Sequence, residues 1–104
     1  MRTLTLPALL LLALPAAAQT QTQTLAQGRA VAQTWCANCH DIGGTTPRST
    51  NDAAPSFPTI AQRNPEAATL RTWLSQRHKD RMPDYNLSRA EVDGVVAYIF
   101  SLRR

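Results

Sequence analysis

The sequence predicts an all-α domain built from three main helices. Apolar residues recur with helical period in three separate segments of the chain. No segment alternates apolar and polar residues as a half-buried strand would. The last helical segment also opens with a start signal, Ser88 followed three residues later by Glu91. These observations favour a small helical domain.

The first helix is predicted from about Leu25 to Trp35, with Val31 or Ala32 on its apolar face. Gly28 lies inside this segment, where glycine costs roughly 1 kcal/mol relative to alanine. It indicates either close approach of another backbone or ring, or a tolerated surface glycine. Residues 41–54 are predicted to form a polar surface loop.

The second helix follows an apolar segment at residues 53–63, which is too rich in proline for a long helix. We expect Asn64 as its N-cap and Pro65 at its first position. The helix is predicted to end near Arg77 or His78. Its buried stripe is predicted to comprise Leu70, Trp73 and Leu74.

The last helix opens with the Ser88–Glu91 capping box, and Leu87 and Val92 are placed to form a hydrophobic staple. Tyr98 flanks the apolar stripe, as does Phe100. The stripe itself consists of Val92, Val95, Val96, Ile99 and Leu102.

The N-terminus has the pattern of a secretory signal peptide. Arg2 precedes an apolar run from Leu4 to Leu14, and small residues ending at Ala18 resemble a cleavage site. The run is about half of the roughly 20 residues that span a bilayer, so stable membrane insertion is not expected. We therefore divide the chain into a signal peptide (1–18), a disordered lead-in (19–24) and one domain (25–104). Export to a bacterial periplasm is expected.

Composition limits the other possibilities. The formal net charge of +4 falls to +3 when Arg2 leaves, which together with export makes nucleic acid a poor partner. Only two cysteines are present in 104 residues, and both lie in one motif. A chain of this size usually needs a covalent or metal staple, and no cysteine remains for a structural disulfide.

That motif is Cys36-Ala37-Asn38-Cys39-His40. Two cysteines three residues apart with a histidine directly after the second have the spacing that attaches haem covalently. The thiols can reach two vinyl groups of one porphyrin, and His40 can bind the iron. Structural zinc would need four suitable ligands, and a dithiol oxidoreductase would need a thioredoxin-like sheet. The sequence offers neither.

A second iron ligand is predicted at Met82, which precedes Pro83 and is the only methionine left after signal removal. Its polar and charged neighbours make simple core filling less convincing. A thioether opposite His40 would stabilise ferrous iron and close the sixth position to small ligands. His78, the only other histidine, is the alternative ligand; otherwise it is an exposed residue at a helix end.

The order of these residues resembles that of class I c-type cytochromes, small monohaem electron carriers. The likeness covers nearly the whole mature chain. It rests on Gly28, Cys36–His40, Pro55, Met82-Pro83, Leu87, Glu91, Tyr98 and Leu102. It implies a small cytochrome c fold wrapped around one haem c, with thioether links at Cys36 and Cys39 and axial ligation by His40 and Met82.

The resemblance also implies roles for three further residues. Gly28 would let the first helix cross the last near Tyr98, and the carbonyl of Pro55 or a neighbour would accept the ring proton of His40. Trp73 either donates its indole proton to a haem propionate or packs in the core.

The expected function is transfer of single electrons between redox proteins, without transformation of a substrate. Alternatives are the haem subunit of a periplasmic dehydrogenase, and a haem enzyme or gas sensor with a labile distal ligand. Arg77, Lys79 and Arg81 lie close to Met82 in the sequence. They form either an ordinary solvated surface or a docking patch for an acidic redox partner.

Overall fold

The computed structural model describes residues 3–4, 15–44, 54–76 and 82–104. Within these ranges the protein is helical and contains no strand, which confirms the all-α class. The helices are α1 (Ala16–Thr34), α2 (Phe57–Gln62), α3 (Ala67–Ser75) and α4 (Arg89–Ser101). A single 3₁₀ turn, Cys36–Asn38, follows α1. The short helix α2 is an addition to the three predicted helices.

Helix α4 is the centre of the core, and α1, α2 and α3 all pack against it. The predicted capping box is present: Glu91 N–H donates to Ser88 Oγ at 3.1 Å, and Ser88 N–H donates to Glu91 Oε1 at 2.9 Å. These bonds satisfy backbone donors that an α-helix leaves free at its start. The buried stripe of α4 comprises Val92, Val95, Val96 and Ile99, with Leu102 partly buried beside it.

The crossing of α1 and α4 occurs where two glycines meet. A Cβ atom at Gly28 would lie 1.8 Å from the carbonyl oxygen of Gly94. Gly28 is therefore required for close backbone approach and is not a tolerated surface glycine. The crossing is centred on Gly94, one helical turn before the expected position at Tyr98. The buried Tyr98 hydroxyl instead donates to the carbonyl oxygen of Ile42 at 2.7 Å.

Helix α1 begins earlier than predicted. Residues 19–24, which the sequence predicts to be a disordered lead-in, are helical in the structure. The hydroxyls of Thr20 and Thr22 each donate at 3.0 Å to the carbonyl four residues before, inside the same helix. Once a helix is nucleated, each added residue contributes a hydrogen bond. The helix formed by the apolar segment therefore extends into the polar residues 19–24.

The start of α3 also differs from the prediction. Asn64 has φ of 53°, and its N–H donates to the carbonyl oxygen of Ala61 at 3.1 Å. Asparagine tolerates the left-handed conformation that commonly ends a helix. Asn64 therefore terminates α2, and the N-cap of α3 is Glu66. Ser56 caps α2 by accepting from Thr59 N–H at 3.1 Å.

Helix α3 is shorter and less buried than expected. It ends at Ser75, because Gln76 has an extended backbone with ψ of 151°. Leu70 is buried, Leu74 is partly buried, and Trp73 is 51% exposed. The core assignment of Trp73 is therefore wrong for the polypeptide on its own. No helix in the described ranges has the length and apolar character needed to cross a membrane.

Candidate functional site

The two cysteines are positioned by the end of α1. Helix α1 ends at Thr34, and the chain tightens into the 3₁₀ turn that begins at Cys36. The N–H groups of Cys39 and His40 donate to the carbonyl oxygen of Cys36 at 3.1 and 2.8 Å. The Asn38 side chain closes the turn by donating to the Trp35 carbonyl at 3.1 Å. One tight turn therefore carries both thiols and the histidine.

Both cysteines are half-buried. Burial raises the pKa of the Cys36 thiol to about 11, although a backbone hydrogen bond acts in the opposite direction. A raised pKa keeps this thiol protonated near neutral pH. Dithiol redox enzymes require the reverse, a nucleophilic cysteine whose pKa is lowered. The burial of Cys36 therefore does not favour the lowered pKa that a dithiol redox catalyst needs.

The ring of His40 is oriented by the segment before α2. Its Nδ1 lies 2.6 Å from the carbonyl oxygen of Pro55. A carbonyl oxygen only accepts hydrogen bonds, so this contact requires the imidazole proton at Nδ1. In the neutral ring with this tautomer, Nε2 keeps its lone pair and is the nitrogen available to a metal. The carbonyl expected from the family resemblance is therefore in contact with the ring.

Packing supports the same orientation of His40. The ring of Phe57 lies with its centroid 5.4 Å from that of His40, and Phe57 is 3% exposed. The Phe57 N–H donates to the Asp41 carbonyl at 2.8 Å, which ties the start of α2 to the residue after His40. Sequence reasoning named Phe57 only as an apolar residue lying against the core and did not place it beside the ligand.

Met82 is half-buried in the segment that leads into α4. Later in the same segment, the N–H of Asn86 donates to Asp84 Oδ1 at 2.8 Å, forming a local turn in which Asn86 has φ of 51°. The ring of Tyr85 stacks on Trp35, with centroids 4.9 Å apart and planes inclined by 28°. This stack brings the Met82 segment against the residue directly before Cys36. Nothing in the sequence pattern had paired the two rings.

Several predicted residues lie outside the described residues. These are His78 and the proposed patch of Arg77, Lys79 and Arg81, together with most of the predicted signal peptide. Arg71, which precedes the patch in the sequence, is described, and its Nε lies 2.8 Å from Asp93 Oδ1. In the described part of the chain, no group of three or more His, Cys, Asp or Glu residues could hold a metal ion.

The donor set fits a covalently attached haem. Two thiols on one turn match the two attachment points, and an imidazole with a free Nε2 follows directly. The half-exposed Trp35 and Trp73 offer aromatic surface for additional burial. An open groove of about 730 Å³ between α3 and α4 is a separate feature, because neither cysteine, His40 nor Met82 lines it.

Comparison with known proteins decides the family. The sequence profile of the family described as Cytochrome C oxidase, cbb3-type, subunit III, matches residues 23–99. The chain belongs to this cytochrome c family. Cytochrome c-552 of Bradyrhizobium diazoefficiens is 33% identical over 76 residues, which cover 73% of this chain and 72% of that protein. No solved structure matches.

Membership of the cytochrome c family establishes the cofactor and the general activity. The cofactor is haem c, an iron porphyrin bound covalently to the chain. Cytochromes of this kind transfer electrons through the haem. The cytochrome's described residues provide the attachment turn and an oriented histidine to this group.

Proposed function

We propose that this cytochrome is exported to a bacterial periplasm and carries single electrons between redox proteins, with His40 and Met82 as axial ligands of one haem iron. The observation that carries the proposal is the 2.6 Å contact between His40 Nδ1 and the Pro55 carbonyl. It leaves Nε2 free for the metal and fixes the ring plane. The haem supplies a reversible one-electron change between ferrous and ferric iron.

The Pro55 contact has an electronic consequence for His40. A hydrogen bond from Nδ1 to a carbonyl increases the basicity of Nε2 and prevents ring rotation. Phe57, packed against the ring, restricts its movement further. Electron transfer then proceeds with little reorganisation of this ligand, which is the behaviour required of a carrier.

Met82 is the proposed ligand on the opposite face. A thioether favours ferrous iron, raises the reduction potential and blocks access of small ligands. Pro83 lacks a backbone donor and restricts φ beside the ligand, so the chain there has fewer alternatives. This arrangement supports a closed carrier over a peroxidase or gas sensor, which would need the distal position to open.

The proposed docking surface comprises Arg77, Lys79 and Arg81, and it would attract an acidic redox partner. Electron-transfer rates with such a partner should fall as salt is raised, since the Debye length shrinks to about 10 Å at 0.1 M. Charge reversal at Lys79 should reduce both the rate and its salt dependence. The same reversal at Arg63, exposed at the end of α2, is the control.

A second candidate is the haem subunit of a larger periplasmic complex, such as a dehydrogenase. The description of the matched family as an oxidase subunit favours a subunit role of this general class. Purification from the native membrane and periplasmic fractions under mild conditions distinguishes the two. A free carrier elutes alone at its own size, whereas a subunit elutes with a catalytic chain.

Absorption spectra of the purified holoprotein test the ligands. We expect a covalent c-type spectrum, a weak long-wavelength sulfur-to-iron band in the ferric form, and no shift when carbon monoxide is added to the ferrous form. Met82→Ala should lose the band and bind carbon monoxide rapidly, while His78→Ala should keep the parent spectra. A parent that lacks the band, and that binds carbon monoxide rapidly in His78→Ala but not in Met82→Ala, would instead assign His78 as the ligand. Rapid carbon monoxide binding by the parent would favour the enzyme or sensor function.

A further inference from the structure

The stack between Trp35 and Tyr85 joins the two halves of the proposed iron site. Trp35 directly precedes Cys36, and Tyr85 lies three residues after Met82. Their centroids are 4.9 Å apart and the ring planes are inclined by 28°. The two segments are about 50 residues apart in sequence, so this contact exists only in the folded chain.

The Trp35 side of the stack is fixed to the attachment turn. Its N–H donates to the Val31 carbonyl at 2.9 Å, and its own carbonyl accepts from Asn38 Nδ2 at 3.1 Å. These bonds tie Trp35 to the end of α1 and to the turn that carries Cys36. Although 42% of Trp35 is exposed, its backbone is held by hydrogen bonds on both sides. The backbone of Trp35, from which the ring projects, is therefore fixed relative to the attachment turn.

Two local sets of hydrogen bonds restrict the segment that carries Tyr85. Toward α4, the capping box at Ser88 anchors the chain to the helix. Around Tyr85 itself, the bond from Asn86 N–H to Asp84 Oδ1 shapes a turn. Met82 lies beyond both constraints, three residues before Tyr85 and its stack with Trp35. Removing the stack would leave Met82 connected to the anchored helix through a longer unsupported segment.

We propose that Trp35 and Tyr85 are positioning residues that hold the Met82 segment over the haem and limit how often Met82 leaves the iron. This inference rests on the proposed function, because it requires Met82 to be the distal ligand. A stacked aromatic pair is expected to change the equilibrium between bound and released methionine by roughly two- to tenfold. The pair would thus keep the distal position closed in this particular chain.

Carbon monoxide binding to the ferrous holoprotein measures this opening, since carbon monoxide can bind only after Met82 leaves. Tyr85→Ala should bind carbon monoxide roughly two- to tenfold faster than the parent and show a weaker sulfur-to-iron band. Tyr85→Phe keeps the ring and should behave as the parent. Trp35→Ala should match Tyr85→Ala, and the double variant should be no faster than either single variant, because all three lack the same contact.

The outcomes separate this inference from the proposed function. If the parent lacks the sulfur-to-iron band and Met82→Ala does not alter it, the ligand assignment itself fails. If the parent and Met82→Ala behave as proposed but Tyr85→Ala binds carbon monoxide at the parental rate, only the positioning role is overturned. Additive effects in the double variant would also overturn it. Tyr85 is remote from Cys36 in sequence, so its variants remain informative if Trp35→Ala impairs haem attachment.

Discussion

Replacing Gly28 by alanine is the most direct test of the packing that supports the site. The added Cβ would lie 1.8 Å from the Gly94 carbonyl oxygen and 2.8 Å from the Val95 nitrogen. Both atoms belong to the backbone of α4 and cannot rotate away. To move from 1.8 Å to the 3.4 Å at which ordinary contact begins, α1 and α4 must separate locally by 1.6 Å.

The expected cost follows from two opposing effects. Overpacking a core costs about 1–3 kcal/mol, and a clash with fixed backbone belongs at the upper end of that range or above it. The substitution recovers up to about 1 kcal/mol of this cost, because alanine is a better helix former than glycine. The net destabilisation should therefore be about 2 kcal/mol. In a domain of this size each kcal/mol lowers Tm by about 4–8 °C, so the total decrease is about 8–16 °C.

Thermal and urea unfolding of the haem-loaded protein, followed by far-ultraviolet circular dichroism, measure this effect. Gln27→Ala changes an exposed neighbour on the same helix and should leave stability within about 0.5 kcal/mol of the parent. Gly94→Ala should cost less than Gly28→Ala, because its Cβ would lie 2.8 Å from the nearest atom, the nitrogen of Gly28. If Gly28→Ala were as stable as the parent, or more stable by the helix-propensity gain, the close crossing would be refuted.

Three further predictions concern the scaffold. Tyr98→Phe should destabilise the protein by about 1–3 kcal/mol at pH 7, since the Ile42 carbonyl loses its donor. Burial raises the pKa of Tyr98, so the parent should lose this stabilisation as pH rises above the ordinary tyrosine pKa of about 10. The free energy of unfolding of Tyr98→Phe, measured in urea between pH 9 and 11, should fall less steeply with pH than that of the parent. Equal pH dependence in the two proteins would contradict this prediction. Ser88→Ala should cost about 1 kcal/mol by removing the cap to Glu91, whereas Ser88→Asp should retain most of the stability in the same assay. Arg71→Met breaks an exposed ion pair and should change the free energy of unfolding by less than about 1 kcal/mol; a larger loss would mean that the pair is part of a wider network.

Local chemistry explains why part of the fold could be predicted from the sequence. The Ser88–Glu91 capping box and the spacing of Cys36, Cys39 and His40 each depend on residues within one helical turn. Their geometry is set mainly by the backbone between them, so the sequence pattern predicts it directly. The contact of His40 with Pro55 was expected only through the family resemblance, because its partners lie 15 residues apart.

The structure differs from the sequence prediction at Asn64, at residues 19–24 and at Trp73. Asn64 can cap a helix or end one, and it ends α2 because its backbone takes the left-handed conformation. Residues 19–24 lack an apolar face, yet they continue α1. Trp73 fits a helical stripe, but the described polypeptide leaves half of it exposed. At residues 19–24 the adjoining helix α1 determines the backbone conformation, and at Asn64 the end of α2 does.

The sequence by itself determined the haem attachment motif, the helical class and the start of α4, since these follow from short-range spacing and propensity. Only the tertiary structure decided that Gly28 meets Gly94, that Phe57 packs on the His40 ring, and that Trp35 stacks on Tyr85. Those contacts join residues distant in sequence, and their geometry depends on how the helices approach one another. The sequence names the groups that can hold the haem, and packing decides how firmly they are held.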